Sequence, residues 1–348
     1  MIRLCELYSR NQYINVQKHP VLPLLIWNYN QKCLYESAWD EYTRVARGLI
    51  TDLDGNIIAR PFPKFFNFGE TEETKPEKLP AEVPQITEKV DGSLGIQYYA
   101  GNKVCIATRG SFTSDQAIWA THWIQEKGLI REDFAEGYTY LYEIIYPDNR
   151  IVVDYGSREE LILLAMIETE TGEEANIDNE MANLPISTVK KYKESIEEII
   201  TQLPTLDANN EGFVARYSNG LRVKMKGDEY KRLHKILTSI SARTIWEYLS
   251  TGIPIDEIIQ RVPNEFCQWV KETEAGLLAI KAALEQQVND AYNAISSLST
   301  RKEQALVIMA NYSDISPLIF RKLDGKKYDD ILWKKLYPNH VRPFKNQD

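Results

Sequence analysis

Up to about Lys235, apolar and polar residues alternate in short runs broken by turn residues, the two-residue period of β-strands. GLITDLDGNIIAR (48–60) places two β-rich runs around Asp54-Gly55 and predicts a hairpin. LGIQYYAGNKVCIATRG (94–110) does the same around Gly101-Asn102. TYLYEIIYPDNRIVVDY (139–155) and EELILLAMIE (159–168) read as further strands, and the unbroken apolar character of the second predicts burial on both faces. Helices are predicted from Ser114 to about Lys127 and from Ser187, whose hydroxyl can cap the first turn of STVKKYKESIEEIITQL. ETETGEEANIDNE (168–180) reads as an acidic loop.

From Ser241 the β-type alternation stops. Leu277, Ile280, Leu284, Val288, Ala291 and Ile295 recur at three- and four-residue steps, one face of an amphipathic helix. RKEQALVIMANY and ISPLIFRKL read as shorter helices. The pattern therefore predicts an α+β domain over residues 1–240, built of antiparallel sheets with flanking helices, and an all-helical domain over 241–348.

At 348 residues, 43% hydrophobic and 26% charged, the chain has the balance of a soluble globular protein with two domains. A formal charge of −9 argues against a protein that coats nucleic acid, but a local basic cleft is compatible with it. The four cysteines and four histidines are scattered, which suggests free thiols in a reducing cytoplasm and no zinc site. Apolar runs are too short to span a bilayer, so no membrane association is expected.

Lys89 lies in EKVDGSLG, two residues before an aspartate and a turn at Gly92. A lysine amine becomes a nucleophile once its proton is lost, and nearby cations or burial favour that. Lys224 and Lys226, two residues apart, share one face of a strand and could depress the pKa of Lys89 by like-charge repulsion. Taken one at a time these are ordinary residues: Lys-x-Asp-Gly is a common turn, and paired lysines commonly form a solvated face.

Their joint order carries more. ARGLI with Arg47, KFFNFGE with Lys64, Lys89-x-Asp-Gly-Ser, TRGS with Arg109, Glu143 in EIIYPDNRIV, Glu211 in EGFV, and Lys224, Lys226 and Tyr230 in KMKGDEY follow one another along residues 40–235. This series resembles the covalent nucleotidyltransferases and, among them, the phage-type RNA ligase 1 family. The resemblance implies an ATP-grasp-like ligase fold and a lysyl-AMP formed on Lys89 from ATP with Mg2+ or Mn2+. It also implies joining of 5′-phosphate and 3′-hydroxyl ends of RNA, single-stranded or a broken tRNA loop. It assigns Lys89, Lys224 and Lys226 to catalysis. Arg47, Lys64, Phe66, Gly92, Arg109, Glu143, Glu211 and Tyr230 would bind the nucleotide with them. Glu211 and Glu143 would hold the metal.

The last residues, FRKLDGKKYDDILWKKLYPNHVRPFKNQD, interleave Lys and Arg with Trp333, Tyr337 and Phe344. They could contact RNA phosphates and unpaired bases, or else pack Ile331, Leu332 and Leu336 inward with solvated lysines. DNA ligases and capping guanylyltransferases usually carry a small β-barrel in this place, so a helical tail and KFFN disfavour both. A non-catalytic RNA- or nucleotide-binding protein is the other alternative, against which the intact lysines speak. The expected protein is a monomer in a bacterial or phage-infected cytoplasm.

Overall fold

The computed structural model describes residues 4–177, 184–259 and 264–338. Two compact units divide the chain, one reaching to His234 and the other starting at Lys235. The first unit holds fifteen strands among the described residues: β1 Ile14–Lys18, β2 Leu24–Tyr29, β3 Arg47–Asp52, β4 Ile57–Ala59, β5 Phe66–Asn67, β6 Gln85–Glu88, β7 Ser93–Ala100, β8 Lys103–Ala107, β9 Tyr138–Ile145, β10 Glu160–Glu168, β11 Glu174–Ala175, β12 Ser187–Thr188, β13 Lys191–Tyr192, β14 Gly212–Arg216 and β15 Arg222–Lys226. They form three sheets, ordered β1-β2-β3-β4, β11-β10-β9-β7-β8 with β12 beside β10, and β13-β6-β14-β15-β5. Pairing is antiparallel throughout except β5 with β15 and β10 with β12.

Both predicted hairpins form, with Thr51 opposite Ile57 and Ala100 opposite Lys103. β10 is buried along nearly its whole length, between two cores. On one side Val104, Ile106, Tyr142, Leu161 and Leu163 pack beneath the helix Asp115–Glu126. On the other, Ile26, Ile50, Ile96, Leu141 and Ala165 join the first two sheets. That helix is capped by Ser114, whose hydroxyl accepts the Ala117 N–H.

Three expectations for this unit fail. The stretch 168–180 is not a plain loop: Glu174–Ala175 forms β11 opposite Ile167 and Met166, and residues 178–180 lie outside the described ones. Ile151–Val153 is not a strand; its backbone turns so that the N–H groups of Val152 and Val153 donate to the Asp91 carboxylate. Ser187 does not cap a helix either, because residues 187–192 hold the short strands β12 and β13. The helix is Ile196–Gln202, capped by Ser195 in a reciprocal box with Glu198. β13 pairs its backbone with β6, opposite Thr87 and Ile86, so those groups are satisfied in the sheet and not in a helix.

The second unit is helical among its described residues, with Ala242–Thr251, Asp256–Ile259, Asn264–Ile295, Arg301–Asn311, Ser316–Leu323 and Asp329–Lys335. Leu284, Val288, Ala291 and Ile295 pack on Ile308, Leu318, Ile319 and Leu332. Leu277 is also buried, but Ile280 is 57% exposed and leaves the predicted face. One residue on, the Lys281 amine lies 5.9 Å from the Trp333 ring centre and pairs with Glu285. Its aliphatic stem covers the helix face there while its charge stays at the rim.

Candidate active site

The third sheet sets out the lysines by simple alternation. Ile86, Phe213, Ala215 and Met225 point to one face and pack on the helix Ile196–Gln202 with Ile199. The alternate residues of β6, β14 and β15 must then point to the other face. They line up in three rows: Lys89 beside Gly212 and Lys226, Thr87 beside Val214 and Lys224, and Gln85 beside Arg216 and Arg222.

Gly212 has φ +138°, and a Cβ there would lie 2.0 Å from the Met225 carbonyl oxygen, so only glycine lets β14 run this close to β15. Glu211, just before it, is 97% removed from solvent and sits between two lysines. Its Oε2 is 2.7 Å from Lys89 Nζ and its Oε1 is 2.8 Å from Lys226 Nζ. Burial alone would raise the Glu211 pKa, but the two ammonium groups outweigh it and lower it. Burial would lower the pKa of Lys89, yet the carboxylates of Glu211 and Glu143 outweigh it and raise the value. The expected depression of Lys89 by Lys224 and Lys226 is therefore not found: Glu211 stands between Lys89 and Lys226 and cancels the repulsion.

The depressed lysine is Lys224. Burial, then the charges of Lys64, Lys89, Lys226 and Arg47, lower it to about 7. Among the described residues Lys224, Arg47, Lys64 and Arg109 form no ion pair. They gather around aromatic rings instead. Phe65 lies under Lys224 and Arg47 at 5.5 and 5.6 Å, and Tyr29 under Lys64 and Arg109 at 5.8 and 5.3 Å. The Arg109 guanidinium also donates to the Tyr29 hydroxyl at 3.2 Å. Arg109, Arg47 and Lys64 lower the Tyr29 pKa against the effect of its own burial. Four cations without a carboxylate partner form a site ready for an anion with several charges.

The turn after Lys89 is held from below. Asp91 is 3% exposed; its Oδ2 accepts from the Val152 and Val153 amides and its Oδ1 from the Tyr230 hydroxyl at 2.7 Å, while its own N–H donates to the Tyr155 hydroxyl. Gly92 N donates to Glu143 Oε1 at 3.0 Å, and a Cβ on Gly92 would meet the Ile144 carbonyl oxygen at 2.5 Å. Burial pushes the Glu143 pKa up to about 8, further raised by Glu211 and Asp91 and opposed by Lys89.

Two residues differ from their expected places. Phe66, expected at the nucleotide, is 2% exposed and packs edge-on to Trp39; its neighbour Phe65 is the ring on the side of Arg47 and Lys224. Tyr230, also expected at the nucleotide, is a buried brace for Asp91. Asp91, Tyr29 and Tyr155 escape a reading of the sequence. Asp91 lies in Lys89-x-Asp-Gly-Ser with the pattern of a turn residue, whereas Tyr29 and Tyr155 reach the site only through folding.

A cavity of about 260 Å³ continues along the same sheet face from the row of Thr87, Val214 and Lys224. Leu164, Val189 and Val214 line it, together with Glu174, Arg216 and Arg222.

A family model described as RNA ligase matches residues 45–230, more than half of the chain and the whole of the lysine constellation, and the chain belongs to that family. A protein of Thermovibrio ammonificans named as an RNA ligase is 28% identical over 66% of this chain, which spans 62% of that relative's length. An RNA ligase of Rhodothermus phage RM378 is 24% identical over 87% of this chain and 85% of its own. RNA ligase 1 of bacteriophage TS2126 is 33% identical over 32% of this chain and 31% of its own. Among solved structures, a Naegleria gruberi RNA ligase with ATP and manganese is similar at 16% identity and a TM-score of 0.37, covering 46% of this chain and 53% of that one. An Aquifex aeolicus protein described as an ATP-dependent DNA ligase is similar at 14% and 0.45, covering 93% and 99%.

Proposed function

We propose that the chain is an ATP-dependent RNA ligase that carries AMP on Lys89. The observation that supports this most directly is the juxtaposition of Lys89, paired with Glu211, and four cations that lack a carboxylate partner. The triphosphate of ATP would lie on Arg47, Lys64, Arg109 and Lys224, where fixed cations meet the charge that builds on phosphate oxygens. Lys89 first loses its proton to water; the ion pair with Glu211 opposes that loss, and a divalent ion held by Glu211 would relieve it. The amine nitrogen then bonds to the α-phosphorus, the bond from that phosphorus to the bridging β-oxygen breaks, and pyrophosphate leaves with the electron pair. An oxygen of an RNA 5′-phosphate next displaces the Lys89 nitrogen from the AMP phosphorus. A 3′-hydroxyl finally attacks the 5′-phosphate, and AMP leaves.

Glu211 and Glu143 offer hard oxygen donors suited to Mg2+ or Mn2+. Among the described residues no three His, Cys, Asp or Glu side chains gather to hold a metal unaided, which suits an ion completed by substrate phosphates. Such an ion would neutralise phosphate charge when bound. No described helix is long and apolar enough to cross a membrane. A monomer acting in a bacterial or phage-infected cytoplasm on broken RNA, tRNA loops included, fits the phage relatives.

Incubation with ATP labelled on its α-phosphate and magnesium, without RNA, should leave label on the denatured protein. Lys89→Ala should abolish it; label that survives would sink the assignment of the nucleophile. Labelled GTP in parallel tests a capping activity, and circularisation of a 5′-phosphorylated RNA oligonucleotide against its DNA counterpart tests the polymer.

A further inference from the structure

We propose that Glu174 reads the base of the nucleotide and selects adenine by accepting a hydrogen bond from its exocyclic amine. The proposal rests on the reading that a nucleoside triphosphate gives its AMP to Lys89. The chemistry at Lys89 uses none of the groups at the far end of the cavity, yet that end is built from charge. Arg216 Nε lies 3.1 Å and Arg222 Nη2 2.5 Å from the same Glu174 oxygen, Oε2, with the Arg222 and Glu174 side chains only 13% and 11% exposed. Arg222 is pinned on its other side by the Phe62 ring, 4.0 Å away.

Three features point this group at a base. The first is size: at about 260 Å³ the cavity has room for one heterocycle. The second is distance along the sheet. The row of Arg216 and Arg222 stands four residues from that of Gly212 and Lys226, roughly 13 Å at strand rise, the order of the span from a nucleotide's α-phosphate to the far edge of its base. The third is polarity. Leu164, Val189 and Val214 give apolar contacts for the faces of a ring; Thr87 and Lys191 lie toward the Lys224 row, and Glu174 with its two arginines stands at the far one.

Both arginines are committed to Oε2, so Oε1 remains as an acceptor whose charge is held in place. An amine donor at the base edge satisfies it. A guanine carbonyl in the same position would set acceptor against acceptor in a buried site, and a purine without the amine would leave the carboxylate unpaired.

The test compares formation of the labelled Lys89 adduct from α-labelled ATP, GTP and purine riboside triphosphate, which lacks the exocyclic amine. The wild-type protein should use the latter two with kcat/KM at least roughly tenfold below ATP. In Glu174→Gln the ATP value should fall toward that of purine riboside triphosphate, closing most of the gap. Should the variant fail to fold, the wild-type comparison of the three nucleotides still decides. Equal use of ATP and purine riboside triphosphate by the wild type, preference for GTP, or an unchanged gap in Glu174→Gln each overturns the role of Glu174 alone. No label from any nucleotide overturns the donor reading, and the base assignment with it.

Discussion

Lys224 is a cation whose charge depends on the pH at which the protein works. Burial and four neighbouring cations bring it to about 7, so below that value it carries its proton and above it does not. A polyphosphate bound beside it would favour the charged form and raise its pKa again, so binding takes up a proton in this range. Affinity for an ATP analogue whose α,β-phosphate bridge cannot be cleaved, which leaves Lys89 in place, should therefore weaken as pH rises from about 6 through 8. Glu143 loses its proton near 8 and pushes in the same direction by adding negative charge. Lys224→Met isolates the lysine's share: it lacks the charge at every pH, so its affinity should lie near the wild-type alkaline limb and change less with pH. Identical pH profiles for the two proteins would show that Lys224 does not titrate against the ligand.

At the scale of elements, the site depends on how closely β14 approaches β15. Gly212→Ala would place a methyl carbon 2.0 Å from the Met225 carbonyl oxygen in a φ region that alanine avoids, at a cost of about 3 kcal/mol or more. Thermal melting should drop clearly, and Lys89 labelling should fall because Glu211 loses its position between the lysines; an unchanged melting point would refute the close packing. Strand alternation made much of this legible beforehand: a period of two puts Lys224 and Lys226 on one face whatever surrounds the sheet. Local pattern could not say which of two adjacent rings would stand beside Arg47 and Lys224: Phe66 is expected there and Phe65 takes the place, while Lys64 lies 5.1 Å from the Phe66 ring. Ser187 and Ser195 offer the same capping chemistry, and only pairing of β13 with β6 decides between them. The raised pKa of Lys89 was hidden for a similar reason, since it follows from Glu211 folding between Lys89 and Lys226 across the sheet.

For the molecule as a whole, the net charge of −9 and the cation cluster are compatible because the cluster is local: Arg47, Lys64, Arg109 and Lys224 come from four separate stretches of chain and meet only in the fold. The tail shows the opposite case. Trp333, which sequence left open for stacking on RNA, is 8% exposed and belongs with Leu332 to the helical core, whereas Tyr337 is 52% exposed with the Arg243 guanidinium over its ring; Phe344 lies outside the described residues. Leu332 is fully buried among Val288, Ile308, Leu318 and Ile319, none of which belongs to the cores around the lysines. Leu332→Ala should therefore cost the helical unit about 2–5 kcal/mol, the range for a buried leucine that leaves a cavity. The residues packed on Leu332 in that cluster all belong to the helical unit. Lys89 should still take label from ATP at a temperature where circular dichroism shows partial loss of helix, while joining of RNA ends declines. Loss of labelling in step with loss of helix would mean that adenylylation needs the helical unit intact.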